Sequence, residues 1–199
     1  MEALDRYLQL LSYSNGQGTQ AEKLAFWSNA YNAVTVKGIL KEYPTSSIRN
    51  HTAKLFGYNI WKNLKLVAGG KPVSLDEMEH QVLRKMGEPR IHFAIVCASI
   101  GCPRLLNEAY VADKLDSQLT INAKAFFADP SKFRYDASRS VFYISPILEW
   151  FGEDFGSSQA AQLKTISAWL PDATAQQAAA AGKGSMSFVD YDWGLNDRK

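Results

Sequence analysis

Two cysteines, two histidines and two asparagines are the residues of this 199-residue chain whose types and spacing suit chemistry. His92, Cys97 and Cys102 crowd into the stretch IHFAIVCASIGCP, residues 91–103, although the chain holds only three histidines and two cysteines. A cysteine becomes a strong nucleophile when its thiolate is stabilised and a base lies within hydrogen-bond reach. Pro103 is suited to the first turn of a helix, which makes Cys102 an N-cap whose sulfur sits near free backbone N–H groups. The dipole of such a helix favours the thiolate. Residues 98–101 then form a tight turn between a strand and that helix. Two other readings stand beside this one: a Cys97–Cys102 disulfide across the turn, and cysteines that serve as small buried hydrophobes.

The base is expected from outside the motif. If HFAIVC is a regular strand, His92 and Cys97 face opposite sides and lie roughly 16 Å apart along it, so they are not a dyad. His92 is then a structural or ligand-facing residue. His80, on a helix beginning after Ser74, has Asp76 and Glu77 one turn before it and Arg84 one turn after, and it is the candidate general base. Asn29 and Asn32 lie on one stripe of a long helix with apolar groups on both faces, so both amides should be buried. They either tie the helix to neighbouring backbone or, in the functional reading, orient a histidine or donate to a developing oxyanion. Neither CxxC nor HxxxH spacing is present, and no metal or cofactor is expected.

The elements that must position these groups follow from periodicity. Leu4, Leu8 and Leu11 mark a first helix, which SNGQGT ends. Residues 21–43 form the longest helix, stopped by Pro44. A loop is expected as far as Ile60. LKLVAGGKPV reads as a hairpin around Gly69 and Gly70, and Ser74 with Glu77 has capping-box spacing for a helix over about 75–86. An amphipathic helix over about 113–128, a strand in SVFYISP, a short helical ILEWFGEDF, a helix over about 163–170, an alanine-rich patch at 175–181 and a strand in MSFVDY complete the chain. Helices outnumber strands and do not alternate with them. The fold class is therefore α+β, a helix-rich single domain over residues 1–199 around a small mixed sheet.

Composition narrows the partners. The chain is 46% hydrophobic and 21% charged, with a formal charge of +2 and no basic block, which argues against nucleic acid. No apolar run approaches the roughly 20 residues of a membrane span, and none is expected. The first residues lack the n-region and h-region of a signal peptide.

Taken together, AFWSNAYNAV, SLDEMEH, RIHFAIVCASIGCPRL, DSQL, SPILEWFGEDF and YDWGLN resemble the DUF547 family, a domain of unknown function, from about residue 4 to 197. The resemblance carries the family's blocks onto Trp27, Asn29, Tyr31 and Asn32; onto Glu79 and His80; onto His92, Cys97, Ser99, Cys102 and Pro103; and onto Asp192 and Trp193. It thereby adds Ser99 and Trp27 to His92 and Asn29 as candidate binding residues. Ser28 and Met78 depart from the apolar and aliphatic residues usual at their places. Family members often carry an export signal, which implies a periplasmic or other exported location. The first functional expectation is a thiol-dependent hydrolase or acyl transferase acting on an amide, peptide or ester, in a papain-like or transglutaminase-like arrangement. Cys102 is its nucleophile with Cys97 as substitute, His80 its base and Asn32 its orienting or oxyanion group. The alternative is a non-catalytic module that binds a small molecule or peptide.

Overall fold

Thr19 starts the longest helix by a reciprocal arrangement. Its hydroxyl accepts the Glu22 N–H, while the Glu22 carboxylate accepts the Thr19 N–H. Two otherwise orphaned donors are satisfied at once. The computed structural model describes residues 2–52 and 59–197, and these divide into two compact units. The first comprises residues up to Gln118 together with the segment from Trp193, and the second runs from Leu119 to Asp192. The class is α+β, as the sequence predicts.

In the first unit α1 (Glu2–Tyr13) packs on α2 (Gln20–Glu42), whose buried residues include Leu24, Trp27, Tyr31, Val34 and Ile39. Part of the expected loop after Pro44 is a tight helical turn, Ile48–His51, and residues 53–58 lie outside the described ones. A single turn, α3 (Ile60–Asn63), precedes the hairpin of β1 (Leu66–Ala68) and β2 (Lys71–Val73). Gly69 and Gly70 both have positive φ, as the two-residue turn requires. Trp27 lies under that turn: a Cβ at Gly69 would come within 2.9 Å of its ring.

Ser74 and Glu77 form the expected capping box at α4 (Leu75–Glu77). The helix then widens into a π-turn, Met78–Leu83, and tightens through Arg84–Met86. The expected strand over 92–97 is absent. Pro89–Phe93 is a 3-10 helix, and residues 94–111 follow without regular structure. Nor does Pro103 open a helix, so Cys102 is not an N-cap. An apolar run without a partner strand has no ladder for its backbone, and here side-chain amides take the ladder's place. The next helix is α5 (Leu115–Phe127).

The second unit contains the rest of α5 and a mixed sheet. β3 (Phe133–Asp136) pairs antiparallel with β4 (Val141–Ile144), which pairs parallel with β5 (Ser185–Phe188). Between β4 and β5 run α6 (Ile147–Trp150), α7 (Gly152–Phe155), α8 (Gln159–Ile166) and α9 (Ala173–Ala180). Phe127, Phe133 and Phe142 form a chain of ring contacts in its core, with Tyr135 stacked on Phe142 at 4.3 Å. No helix among the described residues is long and apolar enough to cross a membrane.

Candidate functional site

The irregular segment 94–111 is held by three side-chain amides, each of which both donates and accepts. Asn32 donates to the Ala94 carbonyl at 3.0 Å and accepts the Val96 N–H at 2.9 Å. Asn29 donates to the Tyr110 carbonyl at 2.8 Å and accepts the Tyr110 N–H at 2.9 Å. Gln118 donates to the Ala109 carbonyl and accepts the Val111 N–H, both at 2.9 Å. An amide carries one acceptor oxygen and a donor NH2, so it can mimic one residue of a neighbouring strand. Asn32 and Gln118 are 6% and 2% exposed, a depth at which unpaired amides would be costly. The Asn32 amide is thus engaged with backbone, which makes it a positioning residue and leaves the expected oxyanion role without support.

A fourth support comes from the far end of the chain. Ile100 donates to Gly194 and Asn196 donates to Ala98, both at 2.8 Å, around a bridge between Ser99 and Leu195. Leu195 in turn donates to Ser46. A turn is present one residue later than the expected 98–101: the Cys102 N–H on the Ser99 carbonyl at 3.1 Å closes it over 99–102, and Ala98 before it adopts φ +60°.

Within this frame Cys97 and Cys102 are joined as a disulfide, the second of the three sequence readings. Neither is a free thiol in this form of the protein. The Cys97 N–H points at Cys102 Sγ at 2.9 Å, and the Ser99 hydroxyl lies 3.0 Å from Cys97 Sγ. Cys102 is 5% exposed and Cys97 is more accessible. Ser99 is buried, as is His92 on the 3-10 turn that leads into the clamped segment. With no strand there, the period-2 argument for separating His92 from Cys97 has no basis.

His80 occupies the π-turn, a feature frequent at functional sites. Its Nδ1 lies 3.0 Å from the Arg84 guanidinium. Because guanidinium only donates, Nδ1 accepts and the neutral ring carries its proton on Nε2. That tautomer is a donor at Nε2, which weakens the case for His80 as a base. Beside it the buried Glu79 carboxylate accepts the Tyr31 hydroxyl at 3.1 Å. Trp27, 6% exposed, contributes to the core beneath the hairpin and stands edge-on to Phe26.

The sequence reading passed over three features. Gln118, in the DSQL block, is the third clamp, and only its helical position beside an irregular segment could have signalled it. Arg90 donates to both Glu88 and Asp116. Those two hydrogen-bonded acids, the Glu88 contact first, raise its pKa and hold it charged. Residues 105–110, with Leu4, Tyr7, Asn29, Asn32, Ala33 and Val36, line a cavity of about 370 Å³. The third histidine, His51, contacts Glu42 at 3.4 Å and Thr45 at 2.9 Å. The Thr45 hydroxyl donates to the Ser47 carbonyl, so this trio is no nucleophile relay. Among the described residues no cluster of three or more His, Cys, Asp or Glu is arranged to hold a metal ion.

No curated protein and no solved structure matches the chain. The family model described as "Protein of unknown function, DUF547" matches residues 16–127, which include all three amide clamps and both cysteines. The match covers more than half the chain, and the chain belongs to the DUF547 family.

Proposed function

We propose that the protein acts through thiol chemistry at Cys97 and Cys102, with the disulfide as the oxidised form of a thiol–disulfide exchange site. One observation carries this reading: the Cys97 N–H aimed at Cys102 Sγ, 2.9 Å away. When a substrate thiolate attacks Cys97 Sγ, the Cys97–Cys102 bond breaks and its electrons leave with Cys102. The resulting thiolate receives that N–H at once, and a leaving thiolate stabilised in this way departs faster. The substrate's second thiol then attacks the substrate sulfur of the mixed disulfide and frees Cys97. The substrate dithiol is oxidised to a disulfide, and the protein's disulfide is reduced to two thiols. Exposure supports the division of roles, since Cys97 is the more accessible residue and Cys102 the buried one.

A purely structural bridge is less well supported. A five-residue separation closes a small loop, and such a link stabilises by only about 2 kcal/mol. Asn32, the turn and the paired segment Gly194–Asn196 already hold the same loop. Acyl transfer is less well supported too, because it needs a base and an oxyanion donor in addition to the thiol. The Asn32 amide and the His80 Nδ1 are engaged elsewhere.

Trapping distinguishes these readings. In Cys102→Ser, 5,5′-dithiobis(2-nitrobenzoate) should modify Cys97 faster than the same residue in urea-unfolded protein. In Cys97→Ser, Cys102 should react slowly. The reduced wild type should also reduce insulin disulfides, and both variants should fail to. Equal reactivity of the two single thiols, or insulin reduction that survives in either variant, would sink the exchange reading. Turnover of p-nitrophenyl acetate by the reduced protein alone would favour acyl transfer instead.

A further inference from the structure

We infer that the cavity between α1, α2 and residues 105–110 is a binding site for a small apolar amine, and this inference stands apart from the thiol chemistry. A volume of about 370 Å³ lies at the lower end of the range for small-molecule sites. Its walls are largely aliphatic, with Leu4, Ala33, Val36, Leu105 and Leu106 contributing. These side chains set the body of the ligand as hydrocarbon or a single aromatic ring.

The polar groups of the lining set its charge. Asn29 and Asn32 also line the cavity, but their amides are engaged in clamping the backbone. Tyr7, Asn107, Glu108 and the buried Tyr110 complete the polar lining, and the side chains of Tyr7, Asn107 and Glu108 have no hydrogen bond or ion pair with another described residue. Burial raises the Tyr7 hydroxyl above the ordinary tyrosine range, so it is a neutral group at the cavity wall. Among the described residues Glu108 is the only charged one in the lining, and its exposure places it at the mouth. Neighbouring charges on the two helices compensate one another, Lys37 with Asp5 and Arg6 with Glu2. The cavity therefore presents one uncompensated negative charge and an unpartnered hydroxyl beside an apolar chamber. A cation on an apolar body satisfies all three, whereas a carboxylate would meet repulsion.

Three probes of matched size separate charge from shape: phenethylamine, phenethyl alcohol and 3-phenylpropanoate. Binding is read from chemical shifts of the Asn29 and Asn32 side-chain NH2 groups, which report on the cavity wall. The amine should bind about threefold more tightly than the alcohol and about tenfold more tightly than the anion, the scale of a partly screened ion pair. Glu108→Gln should bring the amine level with the alcohol while leaving alcohol binding unchanged. Val36→Phe should fill the chamber and abolish all three. If Val36→Phe does not fold, the Glu108→Gln comparison decides alone. Anion binding as tight as amine binding, an unchanged ranking in Glu108→Gln, or no shift at either asparagine with any probe would overturn the inference.

Discussion

The two units are stabilised by different means. The second buries a run of aromatic rings around a regular sheet, where every strand has a partner and the core is mainly apolar, with Asn122 and Ser145 its buried polar side chains. The first carries an irregular segment, buried at Ala94–Val96, Ser99, Cys102 and Tyr110 and exposed over much of 104–109, and satisfies its backbone with Asn29, Asn32 and Gln118. A sheet tolerates many apolar sequences of the right size. A clamp tolerates only an amide of the right length, because each of its two bonds has a fixed direction. The family match lies over the unit with the clamps and ends with α5. The cysteines sit in the segment that the clamps hold.

This contrast can be broken from either side. Phe142, fully buried in the second unit, should cost about 4 kcal/mol when cut to Ala and only about 1.5 kcal/mol when changed to Leu, measured by urea unfolding. Shape matters there more than chemistry. In the first unit the order should reverse. Asn32→Leu keeps the volume, yet it strands the Ala94 carbonyl and the Val96 N–H, at about 3 kcal/mol for the pair. If Asn32→Leu proves as mild as Phe142→Leu, the clamps are not what holds the segment.

The same contrast explains what could be read in the sequence. The Ser74–Glu77 capping box, the Gly69–Gly70 turn and the helices appear because their signals are local, and the Thr19–Glu22 box, equally local, went unread. The IHFAIVC run misled because apolar composition marks burial but not pairing, and burial in an irregular segment leaves the same trace. Whether Ile95 and Val96 join a ladder depends on Asn32, more than sixty positions earlier. β3 escaped notice for a related reason, since FRYD gains its meaning only beside β4. The disulfide was one of three readings because spacing alone permits it without requiring it. Of the two asparagines expected to be buried, Asn32 is buried and Asn29 only half-buried, and their backbone partners were among the stated alternatives. Gln118 lay inside the DSQL block, but nothing local to that block marks its amide as a backbone partner of Ala109 and Val111.

A smaller effect sharpens the comparison within α2. The buried hydroxyls of Ser28 and Thr35 have no hydrogen-bond partner among the described residues, unlike the amides on the same helix. An unsatisfied hydroxyl costs about 1 kcal/mol or more. Ser28→Ala should therefore raise stability by about 1 kcal/mol in the same urea assay, and Thr35→Val should act in the same direction. A loss of stability in Ser28→Ala would show that the hydroxyl has a role the static contacts do not carry.

The smallest expected effect is one the two units share. In the first, the Glu22 and Glu77 carboxylates are held below the ordinary glutamate range, chiefly by the backbone N–H of Thr19 and of Ser74. In the second, the Ser138 hydroxyl lowers Asp136. At Asp129 partial burial works upward, but bonds from Ser131 and Lys132 prevail and lower it. All four groups have folded values below their unfolded ones. Their contribution is therefore complete above the unfolded carboxylate range, near 4, and is lost as pH falls through the folded values. The melting temperature should hold between pH 7 and 5 and decline below about 4. Glu77→Gln should lower the plateau slightly and flatten the decline, because the amide can still accept the Ser74 N–H but no longer titrates. Asp136→Asn should flatten it in the same way. If the acid slope proves insensitive to both, it arises from the general accumulation of positive charge and not from these four bonds. Acid would then not distinguish the clamped unit from the sheet.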